Sequence, residues 1–584
     1  MRELARLLTI VALSLAPAEI VRGQESADLI LVDGVIHTMD PDAPDGAALA
    51  AADGKIVALG DSSELLARWR GPDTVVLDAR GHVVLPGLID AHAHVMGLGR
   101  ALRILDLVGT KSASEIADRV REAAAGRPAG EWLMGRGWDQ NDWDVKRFPE
   151  SALLDAATST HPVFLSRVDG HAAWVNSLAL ETAGVTAETP DPAGGRIVRD
   201  SSGRPTGIFV DNAMALVAAA IPVTDREERE AQLAVAVERM VSVGLTGAHD
   251  MGVDPAELEV YRDWAADGRL KVRVVAYLGA DRETLDWWDA TGYSTVGLQP
   301  SPFLKVAGVK FYADGALGSR GAALLSPYAD DPGNAGLLVT DADTLKAEVA
   351  RVMAEGLQPA IHAIGDRGNR AALDAIAEGR ARTRAEPPTP CAPATSADTA
   401  ASSCAAPREL PPPRIEHAQV VALEDIPRFA ELGVIASFQP THATSDMYWA
   451  EDRVGPDRIR GAYAWRRFRE AGVRIVCGSD FPVESPNPFF GIYAAVTRQD
   501  QEGWPAGGWR PEERMTREEA VTCFTRDAAW AAGMDDEVGS LAVGKRADFV
   551  IVDRDPFTAP EEDLWKTRVL RTVIDGKTVY EANP

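Results

Sequence analysis

Four histidines and one aspartate stand at the ends of apolar runs in this sequence. His92 and His94 are two positions apart, and alternate residues of a strand point to the same face, so their imidazoles can share one metal ion. Three further runs end at His362, His417 and Asp480. Nitrogen and carboxylate ligands of this kind suit Zn²⁺ or a related divalent ion. The alternative for His92 and His94 alone is a buried structural pair, but the five residues together predict a metal centre.

Eight apolar, strand-like runs are expected to position these ligands. They cover residues 83–94, 244–250, 272–278, 306–313, 359–364, 414–417, 433–439 and 474–480. Helical patterns lie between them, and an alternation of strands and helices predicts an α/β fold with a parallel sheet. Eight strands are the number that a (β/α)₈ barrel requires, and reactive groups then lie where the strands end. The ninth candidate, Pro162–Arg167, is assigned to an insertion over about 100–232.

The two ends of the chain share a different pattern of short strands separated by Gly, Asp and Pro. We expect residues 24–86 and 538–584 to form one small β-sandwich domain, with the barrel inserted between them as residues 87–537. A proline-rich segment at about 386–413 is predicted to be an exposed loop between the fifth and sixth strands. A linker between domains is the alternative for that segment.

The composition limits the function classes. The 584 residues are 46% apolar, which indicates a globular chain with one large and one smaller domain. A net charge of −27 argues against nucleic acid as a partner. Four cysteines are too few for a disulfide scaffold or a cysteine-built zinc site. Cys391 and Cys404 share one loop and could pair after export, whereas Cys477, in a buried-looking strand, is predicted to be a free core thiol.

The first 23 residues resemble a secretory signal peptide. Arg2 and Arg6 precede a short apolar run, and small residues follow at Ala18 and Gly23. The run is shorter than the roughly 20 residues that cross a bilayer, and no other stretch in the sequence could span one. The sequence therefore predicts export to the periplasm or the extracellular space, with no transmembrane segment in the mature chain. A helical or disordered N-terminal extension is the alternative.

The ligand-bearing runs resemble motifs of a known family. Residues 86–94, Pro-Gly-Leu-Ile-Asp-Ala-His-Ala-His, resemble the metal motif of the amidohydrolase superfamily. Later blocks resemble its amidohydrolase-3 branch, which includes N-substituted formamide deformylases. These blocks lie at residues 169–176, 309–320, 361–366, 440–446, 477–484 and 539–548. The resemblance covers nearly the whole chain after the predicted signal peptide.

This resemblance implies a barrel that holds one or two divalent metal ions, most often zinc. The implied ligands are His92, His94, Lys310, His362, His417 and Asp480. The first two histidines would bind one ion and the next two the other, with Asp480 as ligand and proton shuttle. Lys310 matches a position at which many relatives carry a carboxylated lysine that bridges two metals. An ion pair between Lys310 and Asp314 is the alternative.

Other residues are candidates for the pocket around the metals. His249 ends the second strand and, like His171 from a family block, could stabilise an oxyanion; a structural hydrogen bond is the alternative for His249. His442 also matches a family block and could orient the substrate. A wall of aromatic residues could make the pocket apolar, although such residues more often pack in a core: Trp132, Trp138, Trp143, Trp174, Tyr448, Trp449, Tyr463 and Trp465. An equally open alternative is a pocket in which Arg167 or Arg320 binds a charged substrate.

Together these residues predict a metal-dependent hydrolase of a small molecule. A divalent metal lowers the pKa of bound water from about 15.7 towards 7 and so supplies hydroxide at neutral pH. Asp480 would accept the proton of that water and pass it to a leaving amine. The predicted reaction is cleavage of a C–N bond in an amide, formamide or carbamate-like substrate. Cleavage of a C–O bond in an ester or lactone is the alternative, and a non-catalytic binding protein is less favoured because every expected ligand is present. A homo-oligomer is also left open.

Overall fold

The structure is a computed structural model that describes residues 26–291, 301–385 and 412–583. Its first segment contains these elements: β1 (Leu29–Val32), β2 (Val35–Ile36), β3 (Ala48–Ala52), β4 (Lys55–Gly60), α1 (Ser62–Trp69), β5 (Val75–Asp78) and β6 (Val83–Pro86). Four of these strands form a sheet in the order β4-β3-β1-β5. In this sheet β1 is antiparallel to β3 and parallel to β5. The predicted signal peptide lies outside the described residues.

The first barrel strand, β7 (Leu88–Ala93), and helix α2 (Val95–Ala101) precede a large insertion. The insertion contains β8 (Leu105–Asp106), α3 (Ala113–Ala124), β9 (Leu133–Trp138), α4 (Ser151–Asp155), β10 (Val163–Arg167), β11 (Ala172–Val175), α5 (Ser177–Thr182), β12 (Gly195–Arg199), β13 (Pro205–Asp211) and α6 (Ala215–Ala218). Its strands form a separate sheet in the order β12-β13-β11-β10-β9-β8. The ninth strand candidate is β10, and it pairs inside this sheet and not in the barrel.

The barrel strands follow as β14 (Leu245–Val253), β15 (Arg273–Gly279), β16 (Leu304–Tyr312), β17 (Gln358–Ala363), β18 (Arg414–His417), β19 (Ile435–Phe438) and β20 (Ile475–Cys477). With β7 they form one parallel sheet of eight strands in sequence order. Beyond the end of β20, the Asp480 amide donates to the carbonyl of His92 in β7 at 2.8 Å. The His94 amide donates to the Phe481 carbonyl at the same distance, so hydrogen bonds join the first and last strands. The predicted α/β barrel is confirmed.

Helices precede, connect and follow the barrel strands of this region. They are α7 (Arg226–Ser242), α8 (Pro255–Ala266), α9 (Arg282–Thr291), α10 (Ala342–Ala354), α11 (Asp366–Ala385), α12 (Ile426–Glu431), α13 (Pro440–Asp446), α14 (Ala450–Arg458), α15 (Trp465–Glu470), α16 (Pro488–Thr497), α17 (Arg517–Cys523) and α18 (Arg526–Ala531). In α7 the apolar residues Leu233, Val237 and Met240 share one buried face, as their spacing predicts. No helix within the described ranges is both long and apolar enough to cross a membrane.

The last strands return to the N-terminal unit. They are β21 (Phe549–Val552), β22 (Val569–Ile574) and β23 (Lys577–Glu581), and with two early strands they form a sheet in the order β2-β6-β21-β22-β23. One hydrophobic cluster joins Leu31 and Leu49 to Phe549 and Val573. A β-sandwich built from both ends of the chain therefore accompanies the barrel.

The first predicted barrel strand, residues 83–94, is two strands in the structure. β6 belongs to the sandwich and β7 to the barrel, and Gly87 separates them. A Cβ atom at Gly87 would lie 2.2 Å from the side chain of Thr246, so only glycine fits at this crossing. The chain thus changes from one sheet to the next immediately before the metal motif.

The cysteine prediction was wrong for Cys477. Its sulfur is bonded to that of Cys523, with an S–S distance of 2.08 Å and 5.2 Å between the Cα atoms. Helix α17 ends beside strand β20 and brings together two residues that are 46 positions apart. A buried position in a strand does not distinguish a free thiol from a disulfide, because the partner comes from a distant element. Cys391 and Cys404, in the proline-rich segment, lie outside the described residues.

Candidate active site

A cleft of about 1320 Å³ lies at the carboxyl ends of the barrel strands. One side is formed by strand ends and includes Lys310, His417 and Asp480. The opposite side comes from the insertion and includes Arg136 and His171. The insertion therefore forms a wall over the face of the barrel on which reactive groups are expected.

His92, His94 and Asp480 bring their ligand atoms together, and the last two of these residues line the cleft. The Nε2 atoms of His92 and His94 lie 3.5 and 3.2 Å from Asp480 Oδ1. The other ring nitrogens already have partners: His92 Nδ1 lies 2.5 Å from Glu416 Oε2, and His94 Nδ1 lies 2.8 Å from the Met251 carbonyl oxygen. Each Nδ1–H donates to an oxygen, which leaves both Nε2 lone pairs facing Asp480. This is the tautomer that a metal ligand requires.

A second group joins the same aspartate. His417, His442 and Asp480 place ligand atoms within 4.8 Å of one another, as the first three residues do. His417 Nδ1 donates to Gln439 Oε1 at 2.7 Å, which again fixes one ring nitrogen. His442 Nε2 and Asp480 Oδ1 are buried without a hydrogen-bond partner. Orphaned buried polar atoms of this kind fit a bound cation. His442, predicted to contact substrate, therefore also lies where a metal ligand could be.

His362 lies beside this second group. Its ring centroid is 4.6 Å from that of His417 and 5.1 Å from that of His171. Its Nε2 atom faces the Gly315 carbonyl oxygen at 3.4 Å and Asp314 Oδ1 at 3.7 Å. Sequence reasoning paired His362 with His417, and the structure brings their rings together. The two convergent groups of ligand atoms at Asp480, however, do not include His362.

Lys310 is buried in the floor of the cleft. Its Nζ atom lies 3.2 Å from His92 Nε2, and none of the described carboxylates is within ion-pair distance. The alternative partner, Asp314, instead accepts hydrogen bonds from the backbone amides of residues 323, 364 and 365. Burial lowers the pKa of Lys310 to about 8, although Glu416 and Asp480 oppose the shift. A lysine that loses its proton this readily is suited to carboxylation.

Asp480 carries a negative charge in this setting. Burial by itself would raise the pKa of its carboxyl group. The nearby imidazoles of His92, His94 and His417 outweigh burial and hold that pKa well below its ordinary value. The carboxylate is thus available as a ligand or a proton acceptor.

Sequence reasoning missed the residues that orient the ligands. Glu416, adjacent to His417, is fully buried and holds His92, while Arg414 donates to Glu416. Although burial disfavours the ionised carboxylate, Arg414 and His92 hold the pKa of Glu416 well below its usual range. The spacing of Arg414 and Glu416 on one strand face was the available indication, because charged residues two apart inside a barrel need partners there.

Three predicted pocket residues do not line the cleft. His249 lies among core residues, where its Nδ1 accepts a hydrogen bond from Arg414 at 2.8 Å. Arg320 forms an ion pair with Asp330 at 2.9 Å. Trp138 is fully buried and donates through Nε1 to the Leu165 carbonyl at 2.8 Å. Each of these side chains is held by the partner named and lies outside the cleft lining; for His249 this is the structural hydrogen bond that the sequence left as the alternative.

The remaining residues predicted to line the pocket differ in whether they reach the cleft and in whether their polar atoms already have partners. His171 lines the cleft and its Nδ1 donates to Asp211 Oδ1 at 2.7 Å. Burial opposes protonation of His171, but Asp211 outweighs it and raises the pKa of His171. Arg167 also lines the cleft, yet Asp139 and Asp169 already hold its guanidinium. Among the eight aromatic residues proposed as a wall, Trp449 alone lines the cleft, so that wall is mostly core packing.

Known proteins are similar to this chain over most of its length. A model of the amidohydrolase family matches residues 75–580. The chain belongs to the amidohydrolase family. This amidohydrolase is 31% identical over 553 residues to YtcJ of Bacillus subtilis strain 168, a protein named as an amidohydrolase; the match covers 94% of this chain and 98% of YtcJ. It is 28% identical to the N-substituted formamide deformylase of Arthrobacter pascens, covering 95% and 98% of the two chains.

A solved structure has the same architecture as this amidohydrolase. An uncharacterised metal-dependent hydrolase from Pyrococcus furiosus aligns with a TM-score of 0.69 and 30% identity. The alignment covers 91% of this chain and all of that one. This amidohydrolase is therefore a hydrolase of a family whose members use divalent metals, and its buried His and Asp groups could bind such ions.

Proposed function

We propose that this enzyme hydrolyses a C–N bond of an amide or formamide and uses Asp480 as the proton shuttle. The observation that carries the proposal is the position of Asp480, whose buried carboxylate joins both groups of ligand atoms at the cleft. The similarity to a formamide deformylase supports the choice of a C–N bond.

The residues present fit a divalent metal centre. The partners of His94 and His417 at Nδ1 leave the Nε2 lone pair of each ring free, His92 Nε2 is contacted by Lys310 Nζ at 3.2 Å, and Asp480 Oδ1 has no hydrogen-bond partner. A bound divalent ion would lower the pKa of water towards 7 and make it a nucleophile. We propose zinc for this site, because imidazole and carboxylate ligands suit it.

The protein's own groups would handle the proton and the developing charge. Asp480 would take a proton from the attacking water while the oxygen of that water bonds to the carbonyl carbon. It would then give that proton to the nitrogen as the C–N bond breaks, which releases an amine and a carboxylic acid. His171, oriented by Asp211, would donate to the carbonyl oxygen as negative charge develops there.

The assay that tests this proposal compares amides and formamides with matched esters and lactones, using the metal-loaded enzyme. We expect release of amine from at least one amide or formamide at a higher kcat/KM than for its ester counterpart. Faster cleavage of the ester or lactone would make this enzyme a C–O hydrolase on the same centre. Failure to cleave any member of either panel would contradict the choice of bond.

We also propose that the neutral amine of Lys310 adds carbon dioxide and releases one proton, and that the resulting carboxylated lysine would hold two metal ions. Its burial, its low pKa and its position 3.2 Å from His92 support this. Metal analysis together with a crystal structure of the purified enzyme should show two ions and a modified Lys310. One ion with an unmodified lysine would contradict the proposal.

We propose that the chain is exported. Its signal-like N-terminus and the disulfide between Cys477 and Cys523 both suit an oxidising compartment. The expected result is a periplasmic or secreted protein whose mass corresponds to cleavage near Ala18 or Gly23, with these two cysteines oxidised. A cytosolic protein that retains its N-terminus would contradict this proposal.

A further inference from the structure

One face of the insertion sheet forms a wall of the cleft. Strands β9 and β10 run parallel and pair Met134 with Phe164 and Arg136 with Ser166. All four side chains belong to residues that line the cleft. The intervening Leu165 packs into the insertion core on the other face, as strand alternation requires. Phe164 and Met134 belong to a second hydrophobic cluster that borders the cleft, so the wall has an apolar edge beside the polar pair of Arg136 and Ser166.

The guanidinium of Arg136 has unused donors. Its Nη2 donates to the Val168 carbonyl at 2.7 Å, while its buried Nε has no partner. None of the described carboxylates lies within ion-pair distance of it. Arg167 on the neighbouring strand differs, because Asp139 and Asp169 hold both of its terminal nitrogens. A partly buried guanidinium with open donors is suited to bind an anion that enters from the cleft.

The backbone holds Arg136 in place. Gly170 has a φ of 76°, and a Cβ atom there would lie 3.2 Å from Arg136 Nη1. The guanidinium thus lies directly against the main chain at Gly170, in a backbone conformation that glycine favours. Together with the hydrogen bond to Val168, this contact limits the positions that the guanidinium can adopt.

Arg136 lines the same cleft as Asp480. Burial lowers the pKa of its guanidinium, and attraction to Asp480 is the largest opposing effect. The nearby positive charge is Arg100, on helix α2, which also lines the cleft. A ligand anion at Arg136 would therefore lie in the same cleft as Asp480, and Arg100 is a second arginine in the lining of that cleft.

We propose that Arg136 and Ser166 bind a carboxylate of the substrate while Met134 and Phe164 contact an adjacent apolar group. An amide with a carboxylate and an apolar side chain near its nitrogen is an N-acylated apolar amino acid, and this is the substrate class that the wall fits. The inference rests on the proposed C–N hydrolysis for turnover, whereas binding of the carboxylate does not depend on it.

The test uses two probes that differ only in the carboxylate: N-formylphenylalanine, as each enantiomer, and N-formyl-2-phenylethylamine. We expect the metal-loaded enzyme to hydrolyse one enantiomer with a kcat/KM at least about tenfold above that of the neutral probe. Hydrogen bonds to a charged group correspond to factors of about 10 to 150, so Arg136→Met should reduce this ratio by that much. Arg136→Lys should retain part of it. Arg147→Met, an exposed arginine of the same insertion, is the control and should leave the ratio unchanged.

Calorimetric binding of the same probes separates the two proposals. Asp480→Asn protein should bind the carboxylated probe more tightly than the neutral one, and adding Arg136→Met should remove that preference. If this binding result is obtained without turnover by the wild type, the proposed reaction fails and the carboxylate site stands. Two outcomes would overturn the inference. One is that the wild type shows equal kcat/KM for the carboxylated and neutral probes and binds both equally. The other is that a preference for the carboxylated probe persists in Arg136→Met.

Discussion

Asp480→Asn should lower kcat by about 10³-fold while metal remains bound, because a general acid–base group contributes on the order of 10²–10⁴. Asparagine keeps the shape of the side chain and one ligand oxygen. It cannot accept the proton of the attacking water or deliver one to the leaving amine. The four histidines of the two ligand groups remain to hold the metal. Steady-state kinetics and metal analysis of the purified variant measure the two quantities.

Another carboxylate of the cleft provides the control for this variant. Asp142 lines the same cleft but has an exposed side chain and no place in either ligand group. Asp142→Asn should change kcat by less than about threefold, as expected for a surface substitution. Asp480→Asn protein that retains more than about a tenth of wild-type kcat would show that another group moves the proton, since acid–base groups contribute far more. Loss of metal together with activity would indicate a ligand role instead.

Arg414→Met should destabilise the fold by about 3–5 kcal/mol, the range for breaking a buried ion pair. Arg414 is fully buried at the start of β18 and is bonded to Glu416. It also donates to the Ala91 carbonyl at 2.6 Å and to Ser437 Oγ at 3.0 Å. Without Arg414, the buried negative charge of Glu416 would have no arginine partner inside the barrel. The measurement is the free energy of unfolding in denaturant.

Two further variants make this result interpretable. Arg414→Met combined with Glu416→Gln should be less destabilised than Arg414→Met alone, because the uncompensated charge is removed. Arg103→Met breaks the exposed pair with Glu228, which has a separation of 2.8 Å, and should cost less than about 1 kcal/mol. Equal losses for Arg414→Met and Arg103→Met would contradict the role assigned to the buried pair.

The barrel and most of the candidate ligands could be predicted from the sequence because both depend on local patterns. Each barrel strand is a short apolar run, and a ligand-type residue at its end can be read without knowing its neighbours. The positions of His92 and His94 show this: alternation along one strand is enough to place both rings on one face. Lys310 was predicted differently, by the resemblance of its block to a family.

The partners of the ligands could not be predicted in this way. Glu416 reaches His92 across 324 residues of sequence, and Met251 reaches His94 across 157. Cys477 looked like a free thiol until its contact with Cys523 was known. Such pairs depend on which distant elements pack together, and a pattern within one element carries no information about that.

The sequence by itself determined the eight-strand barrel, the sandwich shared by both ends and a set of candidate ligands at the strand ends. Only the tertiary structure decided which side chains face the cleft. Trp138 and Arg136 lie on one strand, yet Trp138 is buried in the insertion core and Arg136 lines the cleft. The strand is irregular between these two residues: Gly137 has a φ of 112°, and the pairing of β9 with β10 shifts register between Arg136 and Trp138. In a regular strand two residues this far apart would share a face, and the irregularity turns them to different sides, which no alternation pattern in the sequence indicates.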